Sequence, residues 1–94
     1  MARVGYRLRV YGRVQGVFYR ASMKEVADSL GVDGYVRNMD DGSVEAVVAG
    51  EEQAVKKILE WCKRGPPLAH VTRVDIVEIN PESVEKGFRI RYLL

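Results

Sequence analysis

The sequence predicts an α+β fold, a mostly antiparallel sheet with two helices on one of its faces, and three observations carry that prediction. Five segments read as strands, the first and last with a period-two alternation, and two others show apolar residues at i, i+3, i+4 and i+7. They follow one another as strand, helix, strand, strand, helix, strand, with one further strand at the C-terminus. The middle strands are joined by Asp41-Gly42, a strong tight-turn signal that makes them a hairpin. Length and composition agree, since 94 residues with 47% hydrophobic and 30% charged content suit one small, well-cored domain spanning residues 1–94.

The first strand is read from Val4, Tyr6, Leu8 and Val10 alternating with Gly5, Arg7, Arg9 and Tyr11. The first helix is predicted after Ala21, where Met23, Val26, Ala27 and Leu30 form one stripe. Ser22-x-x-Glu25 is expected to make a capping box at its start, and Gly31 to stop it. The hairpin pairs strands over Val32–Asn38 and Val44–Ala49. The second helix has a buried stripe of Val55, Ile58, Leu59 and Cys62. Glu51 and Glu52 lead it, Lys63 and Arg64 close it, and Gly65-Pro66-Pro67 ends it, a charge order that suits the helix dipole. Over Val71–Ile79 the apolar residues change phase between Val74-x-Ile76 and Val77-x-Ile79, which predicts a bulge or an edge position. Phe88, Ile90 and Tyr92 alternate with Arg89 and Arg91 in the last strand. Both helix stripes need cover, so both helices belong on one face. The result is a ferredoxin-like α/β sandwich, β-α-β-β-α-β plus a C-terminal strand. Its other sheet face presents Arg7, Arg9 and Tyr11 to solvent or a partner.

This superfold hosts many functions, so function has to come from particular residues. Several classes are excluded first. Cys62 is the only cysteine, which rules out an intrachain disulfide and a cysteine-only metal cage and makes the cytoplasm the expected compartment. No apolar run approaches the roughly 20 residues of a membrane helix, and Met1-Ala2-Arg3-Val4 does not open a signal peptide. A net charge of +2 favours anions mildly and is too small to argue for nucleic acid.

The informative phrase is Val10-Tyr11-Gly12-Arg13-Val14-Gln15-Gly16-Val17-Phe18-Tyr19-Arg20, between the first strand and the first helix. Gly12 and Gly16 permit the dihedrals of a concave turn that aims backbone N–H groups inward. Arg20 stands at the mouth of a helix, where unpaired N–H groups and the dipole already favour an anion. A planar guanidinium beside such a ring of donors suits a phosphoryl group. Alone, the Gly-x-x-x-Gly spacing is most simply a turn, and it is no P-loop, because no Gly-Lys-Ser/Thr follows. A second phrase, Gly34-Tyr35-Val36-Arg37-Asn38-Met39-Asp40-Asp41-Gly42-Ser43-Val44 continuing to Gly50, ends a strand at Asn38. A lone Asn there is an ordinary turn amide.

Together the two phrases resemble the signatures of the acylphosphatase family. The first matches at Val10, Gly12, Val14 to Val17 and Arg20. The second matches at Gly34, Tyr35, Asn38, Gly42, Val44 and Gly50. Tyr19 departs from the Phe or Met usual in that pattern but keeps an aromatic, so packing rather than chemistry is expected to feel it. The resemblance implies a hydrolase that cleaves an acyl phosphate to a carboxylate and inorganic phosphate. It makes Arg20 the phosphate-binding arginine and Asn38 the residue that positions the attacking water. The phosphate cradle then consists of the amides of Arg13, Val14, Gln15, Gly16, Val17, Phe18, Tyr19 and Arg20. Neither motif brings metal ligands, so no metal or cofactor is expected, and a monomer acting on small molecules is.

The remaining residues read as structure. His70 is expected at the surface, Cys62 and Trp61 in packing, Asp40 and Asp41 in the turn, and Lys56, Lys57, Lys63 and Arg64 on a solvated helix face. The rival reading is a non-catalytic binding module of the same fold, for RNA or a small anion. An RNA-recognition sheet should carry aromatic and basic residues on its third strand, and Val44-Glu45-Ala46-Val47-Val48-Ala49 has neither. Nucleic acid and membrane are therefore not expected partners.

Overall fold

The computed structural model describes residues 2–92. Its elements are β1 (Arg3–Arg13), α1 (Tyr19–Leu30), β2 (Asp33–Asn38), β3 (Val44–Glu51), α2 (Glu52–Arg64), β4 (His70–Glu78) and β5 (Phe88–Arg91), with a 3-10 turn at Pro81–Ser83. The strands form one sheet in the order β4-β1-β3-β2-β5, antiparallel throughout except for the parallel pair β2–β5. This is the ferredoxin-like arrangement with a fifth strand added at one edge. Among the described residues no helix is long and apolar enough to cross a membrane.

Both helices cover the same face, α1 over β2 and β5, α2 over β1, β3 and β4. Between the layers lie Leu8, Val10, Val36, Ala46 and Val48 from the sheet and Met23, Ala27, Val55, Ile58 and Cys62 from the helices, all fully buried. Gly31 ends α1 in the left-handed region at φ 70°, as its position predicts.

Two expectations need correction. Among the described residues no side chain caps α1, so the Ser22–Glu25 box does not form. The helix begins earlier, at Tyr19, behind a left-handed Phe18. β4 is indeed an edge strand, but its irregularity sits at Thr72. There the pairing jumps from Tyr11↔Arg73 to Gly12↔Val71, which puts Val71 and Val74 on one face despite their odd spacing. The later change of phase is simply Ile76 and Val77, both exposed, taking opposite faces of an edge. Gly12 has φ 123°, and a Cβ on it would collide with the His70 carbonyl oxygen. Only glycine lets β1 run on to the loop while staying paired with β4.

Candidate active site

The loop from Arg13 to the first turn of α1 is pinned by alternate residues. Val14 and Val17 are buried in the core, while Gly16 and Phe18 stand outside with φ 74° and 66°. Phe18 is the one non-glycine with positive φ among the described residues, and the residue is 71% exposed. A phenylalanine gains nothing from that strained conformation by itself, so the fold around it imposes it. Left-handed residues set among ordinary ones turn successive N–H groups toward one concave side. Among the described residues, the N–H groups of residues 15–20 donate to no protein acceptor. With no capping side chain and no acid in its first turn, α1 leaves its positive end uncompensated at the same point.

Arg20, the second residue of α1, is half-buried, and its guanidinium lies 4.9 Å from the centre of the Tyr92 ring. Among the described residues no carboxylate pairs with it. Asn38 ends β2, and its Oδ1 is buried without a hydrogen-bond partner among those residues. Leaving such an acceptor empty costs about 1–3 kcal/mol, so the position calls for a donor from outside the chain. Arg20 and Asn38 line one cleft of about 270 Å³ with Val14, Gly16, Phe18 and Tyr92.

Of the other residues expected in the cradle, Tyr19 also borders the cleft, but its side chain is taken up elsewhere. Its hydroxyl donates to the Cys62 carbonyl at 2.7 Å and its ring packs on Trp61 at 5.1 Å, so the departure at this position is a matter of packing. Val17 is a core anchor. Arg13 is exposed at the end of β1, opposite His70. Gln15 does something its neighbours in sequence do not reveal. Its Nε2 donates to the carbonyls of Met39 (2.8 Å) and Ser43 (2.9 Å), bolting the loop to the hairpin turn that carries Asn38. That turn is itself tied together: the Met39 N–H donates to the Ser43 carbonyl, and Asp41 accepts from the Ser43 N–H and from Arg9. Tyr92 is a cleft residue that neither motif contains, although its alternation with Arg91 assigns it to the helix-facing side.

Cys62 is fully buried and burial pushes its thiol up to about 12, which keeps it protonated and unreactive. His70 is exposed at the start of β4. Among the described residues no three His, Cys, Asp or Glu side chains converge.

The fold and the cleft together define a small ferredoxin-like protein with a cationic recess between a strand-to-helix loop and a hairpin end. Residues 6–90 match the family model for acylphosphatase. The chain is 51% identical over 90 residues to an acylphosphatase of Thermococcus kodakarensis, covering 96% of this chain and 98% of that one. It is 56% identical over 88 residues to an acylphosphatase of Aeropyrum pernix, covering 92% and 86%. The crystal structure of acylphosphatase from Bacillus subtilis superposes with a TM-score of 0.90 at 37% identity, over 95% of this chain and 99% of the other. The chain belongs to the acylphosphatase family, enzymes that hydrolyse acyl phosphates.

Proposed function

We propose that residues 1–94 act as one metal-independent catalytic domain, a monomer, in which Arg20 and the amides of residues 13–20 hold the phosphoryl group of an acyl phosphate. Asn38 holds the water that attacks it in line. As the water oxygen bonds to phosphorus, the bond from phosphorus to the acyl oxygen breaks and its electron pair leaves on the carboxylate. The protons of the water end on the released phosphate. A carboxylate with a pKa of about 4–5 departs without a general acid. Phosphoryl transfer otherwise asks for positioning and charge stabilisation, which fixed amides, one guanidinium and one side-chain amide supply.

The observation that carries this reading is the buried Oδ1 of Asn38, which shares a cleft with Arg20 and, like it, has no partner among the described residues. An uncharged amide makes a poor anchor for phosphate but has the acceptor a water needs. The test is steady-state hydrolysis of benzoyl phosphate, with and without a chelator, together with competitive inhibition by inorganic phosphate. Asn38→Ala is expected to cut kcat by about 10²-fold or more and leave the phosphate inhibition constant nearly unchanged, the sign of a contact made for the transition state. Equal losses in turnover and in phosphate affinity would remove the water-positioning role, and activity abolished by the chelator would remove the metal-free mechanism.

A further inference from the structure

The sheet face turned away from the helices carries a second, larger cleft of about 500 Å³, walled on one side by Ile79, Ser83, Val84 and Glu85. That volume falls in the usual range for a small-molecule site, roughly 300–1,000 Å³. Three guanidiniums, Arg7, Arg89 and Arg91, line it with a single acid, Glu85.

The sheet register shows that this excess is local. In one cross-strand row Arg9 lies opposite Glu45 and Asp75, and Arg37 opposite Glu45. Those cations are answered: Arg37 Nε bonds Glu45 at 2.8 Å, and Arg9 bonds Asp41 at 3.0 Å. In the adjacent row Arg7 lies between Val47 and Val77, and among the described residues it meets no carboxylate. Arg91 meets none either, and its guanidinium lies 4.7 Å over the Tyr35 ring. Arg89 is held by Glu85 at 3.1 Å. A guanidinium held over a tyrosine ring, and the ring itself, offer flat surfaces on which a further planar ring system can stack. Val47, Ile79 and Val84 add apolar lining. Arg7 supplies a free fork of donors for a phosphate.

From this arrangement we propose that the open-face cleft binds a nucleoside monophosphate, with its base on the Tyr35–Arg91 stack and its phosphate on Arg7. One platform and one free fork in a walled cleft match a single nucleotide; a strand of RNA needs successive platforms. The site is separate from the candidate active site, because β5 stands between them. Ile90 and Tyr92 face one cleft, Arg89 and Arg91 the other.

Calorimetric titration of the full chain with adenosine monophosphate, in a phosphate-free buffer, tests the proposal. One binding site is expected, weakened about tenfold or more in Arg7→Gln and in Arg91→Gln, and unchanged in Arg20→Gln. Adenosine and ribose 5-phosphate, each offering half of the ligand, should bind more weakly than the whole. Arg7 is exposed, so its variant is expected to fold, as circular dichroism will report. No heat of binding up to millimolar nucleotide would overturn the proposal. Binding lost in Arg20→Gln but kept in Arg7→Gln would also overturn it, by placing the nucleotide in the other cleft. A single-stranded oligoadenylate that bound far more tightly through the same arginines would replace the mononucleotide with a nucleic-acid strand.

Discussion

The two helices begin in opposite ways. At the start of α2 the Glu51 carboxylate accepts hydrogen bonds from the N–H groups of Gln53 (2.9 Å) and Ala54 (3.3 Å), and Glu52 adds a second negative charge. At the start of α1 stands Phe18, left-handed, with no side-chain acceptor and no acid in the turn that follows. Both helices bury an apolar stripe against the same sheet face, so covering the core does not by itself account for the difference. One positive end is closed from within the chain. The other is left open, at a cost of about 1 kcal/mol for the missing cap, and has Arg20 beside it. An uncapped helix end that borders a cleft is a place prepared for an anion.

The largest effect should come from Arg20, which makes the open end more positive still. Arg20→Gln is expected to lower turnover of benzoyl phosphate by about 10²–10³-fold or more, the usual loss for one preorganised donor. Arg20→Lys should do nearly as badly, because it keeps the charge but loses the planar fork. A folded Arg20→Gln protein with most of the wild-type rate would erase the functional contrast between the helix starts.

A second change makes α1 resemble α2. Phe18→Asp supplies an acceptor and a negative charge where both are missing, and Asp tolerates positive φ better than Phe. Turnover should fall by about tenfold while urea denaturation shows a gain of about 0.5–1 kcal/mol. Inorganic phosphate, which should raise the thermal midpoint of the unmodified protein by binding its folded state, should then raise it much less. If phosphate stabilised both proteins equally, the open helix end would not be where it binds.

The reverse change is smaller. Glu51→Ala opens α2 and should cost about 1 kcal/mol in urea denaturation, with turnover unchanged at temperatures where the protein stays folded. Loss of activity in this variant would mean that both helix ends serve the site.

The smallest effect concerns Asp41 in the hairpin turn. Hydrogen bonds from Ser43, followed by Arg9, hold its carboxyl down to about 2 from an ordinary 3.8. A depressed folded value means that the contribution is fully present above about pH 4 and disappears as pH falls through about 2. Urea midpoints of the natural chain and of Asp41→Asn should therefore differ slightly near neutrality and converge toward pH 2. A difference that stayed constant across that range would show that the carboxylate's charge is not what matters.

Most of the fold was legible because it rests on local periodicity. Alternation in Val4–Val10 and the stripe of Val55, Ile58, Leu59 and Cys62 each specify one inward face, with Val4, Tyr6 and Leu59 half-buried at its margins and the others fully buried. Where the reading failed, a longer-range constraint outweighed a local signal. Ser22-x-x-Glu25 has the residues of a capping box. Yet Val17 and Tyr19, both buried, draw the chain into helix before Ser22 is reached. The extra residue at Thr72 depends on how β4 meets Gly12 across the sheet, which no pattern within β4 reports. The site divides in the same way. Arg20 and Asn38 stood out through their two motifs, whereas the Gln15 side chain acts on carbonyls 24 and 28 positions along the chain.

The inward faces of β1 and α2, the place of the hairpin turn and the end of α1 follow from the sequence alone, since alternation, Asp41-Gly42 and Gly31 act through neighbours a few residues away. The sequence also determined which chemical groups are available: one guanidinium at a helix mouth, one amide at a strand end and a loop with two glycines. Only the tertiary structure decided that these groups share a cleft. It sets Tyr92 under Arg20 and leaves Asn38 Oδ1 without a donor among the described residues. It also holds Phe18 left-handed, so that the N–H groups of the loop stay open. The physical reason is that an unpaired polar group or a strained φ lowers no energy locally and persists only when packing from distant parts of the chain over-determines it.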